Sequence, residues 1–223
     1  MFTHAWAIHS LCCLRFKLQM RKSNGARIWL NLLFRSAVNG LMIALGMEKS
    51  EGIIIRLTKL TETSLIVHWC TRDQGLIKTV AKGGRRSKGP LAGKLDLFFE
   101  AELNWVRSRK SELHTLSEVA VLDYRENLRK RYKDTLVASY FVDLLAHVAE
   151  PDHPVPDLYD LLARGLGYLV EQGADQRGVL HFEHELARLS GVAHDRSSAF
   201  IALEQAFGSL PKSRSSCMDA IGH

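Results

Sequence analysis

The sequence predicts an α+β protein in which a small five-stranded barrel precedes a helical bundle. Three observations carry that prediction. Short β-type segments, the clearest alternating with period two, recur from Gly52 to Leu122, the apolar spacing lengthens to four after Asp123, and the charge balance reverses at the same point. Glu48 to Leu122 holds 13 basic and 9 acidic residues, whereas Asp123 to His223 holds 11 and 15. A basic module, 47–122, therefore precedes an acidic one, 123–223. An apolar content of 46% over 223 residues is ample for a buried core.

Three strands open the barrel. GIIIRLT begins at Gly52, a turn follows around Leu60 to Thr63, and SLIVHWC leads through TRDQG into LIKTVAK. A glycine-rich loop comes next. The fourth strand alternates from Leu95 to Trp105, with Leu95, Leu97, Phe99, Ala101, Leu103 and Trp105 on one face and Asp96, Phe98, Glu100, Glu102 and Asn104 on the other. The fifth runs from Leu113 to Leu122. Five short strands in about seventy residues suit a closed barrel, which leaves no strand edge exposed. Pattern alone leaves an SH3-like strand order open beside the alternatives.

Beyond Asp123, Leu128, Tyr132, Leu136, Tyr140 and Leu144 recur every four residues along a helix that ends near Ala149, where PDHPVP breaks it. Further helices are expected over Asp157–Glu171, Val179–Leu189 and Asp195–Phe207. The pair Gly165 and Gly167 either weakens the middle one or lets a neighbour approach closely.

Residues 1–46 contain six Lys/Arg and no Asp/Glu. Arg15, Lys17, Arg21 and Lys22 interrupt the apolar run, against the layout of a secretory signal or a membrane span; an amphipathic membrane-binding helix is the minor alternative. The expectation is that these residues lie upstream of the true start at Met47 and carry no function. Cys12, Cys13, Cys70 and Cys217 make neither a disulfide framework nor a zinc motif, which points to a reducing cytoplasm.

The chemistry-bearing stretch is AKGGRRSKGP, Ala81 to Pro90. Gly84 to Gly89 has the G-x-x-x-x-G spacing of a phosphate loop, but Pro90 and Leu91 stand where its Lys and Ser/Thr belong, so nucleotide hydrolysis is rejected. What remains is Lys82, Arg85, Arg86 and Lys88, with Lys94 beyond, on a backbone that Gly83, Gly84, Gly89 and Gly93 make adaptable. Such a loop suits a polyanion. Each phosphate neutralised on a single strand steepens the salt dependence by roughly 0.7 in log–log slope. An ordinary solvated basic loop explains the charge alone about as well. A second cluster, Arg107, Arg109 and Lys110, sits between the fourth and fifth strands. Trp69 and Trp105 share faces with apolar neighbours and read as core, which leaves Phe98, on the polar face, as the candidate for base stacking unless it packs under the helices.

Elsewhere, His181 and His184 in HFEHE match neither HExxH nor HxxEH, and no metal is expected there. No nucleophile and base stand together with an orienting group; His68 and Cys70 share a strand face without one. The sequence therefore gives no support for an enzyme, a cofactor or a small-molecule substrate.

One resemblance is specific. Gly52, Glu62-Thr63-Ser64, Thr71, Gly75, the VAKG of Val80 to Gly83, Arg85-Arg86, Gly93 and the LHTL of Leu113 to Leu116 together resemble the N-terminal domain of the RecO family of bacterial recombination mediators. FEHELARLSGV, Phe182 to Val192, is similar to a helix of that family. The resemblance implies an OB-fold barrel followed by a small all-α domain. It also implies binding of single- and double-stranded DNA, annealing of complementary strands, and cooperation with RecR to load RecA on SSB-coated DNA, on the nucleoid and without catalytic turnover. The DNA contacts it implies are Lys82, Arg85, Arg86 and Lys88; Lys94, Arg107, Arg109 and Lys110 follow from charge. Some members hold zinc on four cysteines that this chain lacks. The family's contact with the SSB C-terminal tail runs through the helical domain, from which PKSRSSCMDAIGH departs. A rival reading is an adaptor whose basic loop binds an acidic protein tail without touching DNA.

Overall fold

The computed structural model describes residues 46–150, 153, 155–193 and 198–222. Nearly all of the N-terminal extension and the expected helix start at Asp195 lie outside them. Glu48–His223 form one compact unit.

Five strands, β1 (Met47–Lys59), β2 (Leu65–Thr71), β3 (Gly75–Ala81), β4 (Glu100–Val106) and β5 (Leu113–Asp123), close into a barrel in the order β1-β2-β3-β5-β4. β3 and β5 run parallel while the remaining described pairings are antiparallel. That order is the OB-fold, and it settles the choice against an SH3-like arrangement. Alternation decides what fills the interior: Ile54, Val67, Trp69, Ile77, Ala101, Leu103, Trp105, Leu116 and Val119 point inward. Trp69 and Trp105 are fully buried, and the Trp69 indole N–H is satisfied by Thr79 Oγ1 at 2.8 Å.

The fourth strand begins later than the alternation predicts. Phe98 has φ +68°, a left-handed conformation that stops an extended run, and Leu97 N–H turns back onto the Asp96 carboxylate at 2.8 Å. The chain straightens only at Glu100. The two phenylalanines therefore both go inside but to different places, Phe99 to the barrel interior and Phe98 to the cluster shared with the helices.

Among the described residues five α-helices follow: α1 (Tyr132–Val148), α2 (Pro156–Glu171), α3 (Gln176–Leu189), α4 (Ala199–Phe207) and α5 (Ser213–Ile221). Strict four-residue spacing drifts around a helix of 3.6 residues per turn. Tyr132 accordingly ends up 78% exposed, and the buried face of α1 is Val137, Tyr140, Phe141, Leu144 and Leu145. Asp175 caps α3 by accepting from Gly178 N–H at 2.8 Å. Gly165 allows α2 to approach the stacked Phe141 and Phe182 rings, 4.0 Å apart, and a Cβ there would sit 3.0 Å from Phe182. α5 was not expected. Its low amphipathicity hid it, but Cys217 is fully buried and Arg214 reaches the carboxylate of buried Glu183 at 2.7 Å, beside the Tyr140 hydroxyl.

The helices do not hang from the barrel by a linker. Ile53, Ile55, Cys70 and Phe98 on the barrel's outer surface belong to the same apolar cluster as α1 and α2. Arg125, buried, adds a polar bolt: it donates to the Phe98 carbonyl at 2.8 Å and pairs with Glu100, whose other oxygen accepts from Tyr159 on α2 at 2.6 Å.

Candidate nucleic-acid interface

The loop that carries the basic stretch leaves β3 at buried Ala81 and folds as two tight turns, Gly84 N–H onto the Ala81 carbonyl and Arg86 N–H onto the Gly83 carbonyl. Gly83 takes φ +70°, which a side chain would resist. Farther along, Leu91 is buried in the barrel core and Leu95 packs against it. The cations are thus displayed between two apolar anchors. The loop's position is fixed by its neighbour, the turn between β1 and β2: Arg85 N–H donates to the Thr63 carbonyl at 3.1 Å, and its guanidinium donates to the Glu62 carbonyl at 3.2 Å.

Arg85 is therefore partly committed, its guanidinium lying 3.9 Å from a Glu62 carboxylate that Lys59 approaches to 2.5 Å. Lys82, Arg86 and Lys88 are exposed, and among the described residues no carboxylate pairs with them. Lys94 is half-buried within a turn closed by Lys94 N–H to the Leu91 carbonyl. A rim of three uncompensated cations remains.

The second cluster is built differently. Arg107 makes a two-pronged contact with Glu48 at 2.6 and 3.1 Å, donates to Gln74 at 2.7 Å and lies over the Trp105 ring. Its charge is met inside the protein. Arg109 and Lys110 are exposed on a turn held by Ser108, whose Oγ accepts from the Lys110 and Ser111 N–H groups.

The two clusters do not adjoin. Leu65 pairs with Ala81 at the rim end of β3, whereas Arg107 reaches Gln74 at the other end, a strand of seven residues away, or about 20 Å at 3.3 Å per residue. Phe98 also changes role. It is buried at 4% exposure in the cluster shared with the helices, with its carbonyl held by Arg125, so it offers no stacking face; it takes the packing position instead.

On α3, His181 and His184 are exposed while Glu183 turns inward, so HFEHE is divided between two faces of the helix. Burial pushes the Cys70 thiol up to about 12 and that of Cys217 up to about 11, the range of inert core cysteines. The sequence does not bring together Arg56, His68 and Lys78, of which only His68 draws attention and then only beside Cys70; they face outward on consecutive strands. Each is an unremarkable polar position in its own strand, and only the register brings them together.

Two family models match the chain, the Recombination protein O N-terminal model over residues 45–125 and the C-terminal model over 129–201. Together they cover more than half of it. The chain belongs to the recombination protein O family. Relatives named DNA repair protein RecO include those of Syntrophus aciditrophicus, 30% identical over 66% of this chain and 56% of the relative, and Rhodopirellula baltica, 31% identical over 63% and 52%. The protein of Listeria monocytogenes is 35% identical over 52% of this chain and 44% of its own length. The chain thus spans about half the length of the curated relatives it matches. Within the family frame, the barrel that displays the basic rim is the N-terminal region and the bundle the C-terminal one. Among the described residues no helix is long and apolar enough to cross a membrane.

Proposed function

We propose that this chain binds DNA through the rim of its OB barrel and acts in DNA repair and recombination as a strand-annealing mediator. The single observation that carries the reading is the uncompensated triad Lys82, Arg86 and Lys88, displayed between the buried anchors Ala81 and Leu91 in a RecO-family barrel. Cations placed on two strands lower the repulsion that slows pairing, and the step needs screening of charge, not a base or a nucleophile. Cooperation with RecR in loading RecA, and a contact with the SSB tail through the helical half, belong to the same proposal and rest on family membership alone. Lys82, Arg85, Arg86 and Lys88 are the primary contacts; Arg109 and Lys110 are secondary, and Arg107 supports their loop.

Binding of a fluorescent oligothymidylate by the full chain, titrated at several salt concentrations, tests this. The variant with Lys82, Arg85, Arg86 and Lys88 all changed to Ala should lose about 3 from the log–log salt slope, at roughly 0.7 per phosphate contact, and should anneal complementary strands more slowly. No binding by the unaltered chain at low salt sinks the proposal and returns the loop to the adaptor reading, in which an acidic peptide is the ligand.

A further inference from the structure

Strand register assembles a row of basic groups from the strands themselves, beside the residues that the two loops supply. β1 pairs Arg56 with His68, and β2 pairs His68 with Lys78, so three side chains stand abreast on adjacent strands. Val67, Trp69 and Ile77 beside His68 and Lys78, and Leu57 beside Arg56, pack toward the barrel interior, which turns all three outward. Like charges directly opposite one another across strands are unfavourable, and among the described residues no carboxylate pairs with Arg56.

The row is not on open surface. It lines a cleft of about 620 Å³ whose opposite wall is α1, at Val142, Asp143, Ala146 and His147, a volume within the roughly 300–1,000 Å³ typical of ligand sites. The charged and titratable groups facing His68 are Arg56 from β1, Lys78 from β3, and Asp143 and His147 from α1. Asp143 is engaged by the Ser213 hydroxyl at 2.9 Å, His147 by the Phe207 carbonyl at 3.1 Å, and Lys78 has one exposed partner, Glu112, at 3.2 Å. Burial first, and then the charges of Arg56 and Lys78, hold the His68 imidazole below its ordinary value, so the cleft already disfavours a further positive charge. An anion reverses that balance.

Which anion is decided by what the row joins. Lys78 and Val80 alternate onto the outer side of β3, whose end leads directly into the rim at Lys82, and Ile66 beside Val80 adds an apolar strip. We propose that the cleft seats a backbone phosphate of a single DNA strand, held by Arg56 and Lys78 with His68 between them, as the strand passes from the rim across the barrel. This rests on the DNA-binding reading above. A space of about 620 Å³ between the strands and α1 is too small to enclose a duplex, so on this proposal the cleft takes one strand and selects single strands where the rim alone does not.

The test compares the full chain with the double variant Arg56→Gln, Lys78→Gln, using an oligothymidylate and a duplex of equal length. The expected result is at least a tenfold loss of single-strand affinity and a salt slope shallower by about 1.4, two contacts at roughly 0.7 each, with duplex affinity changed less than twofold. Unchanged single-strand affinity and slope, in a setting where the unaltered chain binds and the four-alanine rim variant is weakened, overturns the cleft and spares the rim. An equal loss on duplex overturns the selectivity. No binding by the unaltered chain overturns both readings. A second measurement needs no variant: the His68 ring pKa, followed by NMR in the unaltered chain, should rise when oligothymidylate saturates the protein, and a value that stays or falls overturns the proposal.

Discussion

The rim of the barrel and the seam between barrel and helices both depend on arginine, and they use it in opposite ways. In the seam, Arg125 is 4% exposed at its side chain, takes a left-handed φ of +44°, and spends its donors on the Phe98 carbonyl and the Glu100 carboxylate. On the rim, Arg86 is exposed, with Lys82 and Lys88 close by in sequence and no carboxylate paired with it among the described residues. A buried charge must be matched locally because desolvation is expensive, whereas an exposed one can be left unmatched at little cost and remains available to a ligand. Compensation therefore separates the arginines that hold the fold from those offered outward. Arg107, half-exposed yet fully engaged by Glu48 and Gln74, falls with the first group despite lying in a basic cluster.

The largest expected effect comes from breaking the seam. Arg125→Met keeps the volume but leaves Glu100 with only the Tyr159 hydroxyl and strands the Phe98 carbonyl. Removing one partner of a buried pair costs 3–5 kcal/mol, and because Glu100 keeps Tyr159 the loss should be about 3 kcal/mol in urea unfolding. A loss below about 1 kcal/mol would show that the seam is slack and that the contrast drawn above fails on its buried side.

Next is the anchor of the rim. Leu91→Ala removes a buried side chain from the edge of the barrel core, and the expected destabilisation is about 2 kcal/mol, the low end for such truncations because a loop can settle into the space. The same change should weaken oligothymidylate binding, since the cations lose one of their two fixed points. Stability lost with binding retained would mean that display does not depend on the anchor.

The rim itself should matter least to the fold. Changing Lys82, Arg85, Arg86 and Lys88 to Ala is expected to move unfolding free energy by no more than about 0.5 kcal/mol, as for exposed sites generally, while reducing DNA binding as set out above. A stability change as large as that of Leu91→Ala would make these residues structural and erase the distinction.

The two regions were also unequally legible. The rim could be read from ten consecutive residues, because a dense charge on several glycines is a local property and loop position follows from the strands on either side. The barrel was legible for a similar reason, each strand declaring its inner face through alternation. Arg125 could not be found that way, since its partners lie 27 and 25 residues back along the chain and become neighbours only after closure. Extending the alternation of β4 places Phe98 on the polar face, but the positive φ of Phe98 itself ends that alternation. α5 carries too little apolar periodicity to be seen before its partners Asp143 and Glu183 are in place. The row Arg56, His68 and Lys78 is invisible for the same reason: it is a product of register.

That row gives the smallest and most discriminating effect. The His68 imidazole is held below its ordinary value in the folded chain, so across the pH window just below that value the unfolded chain binds more protons than the folded one. Stability contributed by this position is therefore present at neutral pH and lost as pH falls through the unfolded value toward the lower folded one. His68→Gln removes that dependence, and urea midpoints measured between pH 7 and pH 5 should fall less steeply in the variant. Arg56→Gln acts on the same group from the neighbouring strand, and by lifting one of the two cationic contributions it should also flatten the acid limb, though less than His68→Gln, since burial is the larger cause. Were Arg56→Gln to leave the limb unchanged, the row would be three independent surface groups, and the contrast between matched and unmatched charge would end at the rim.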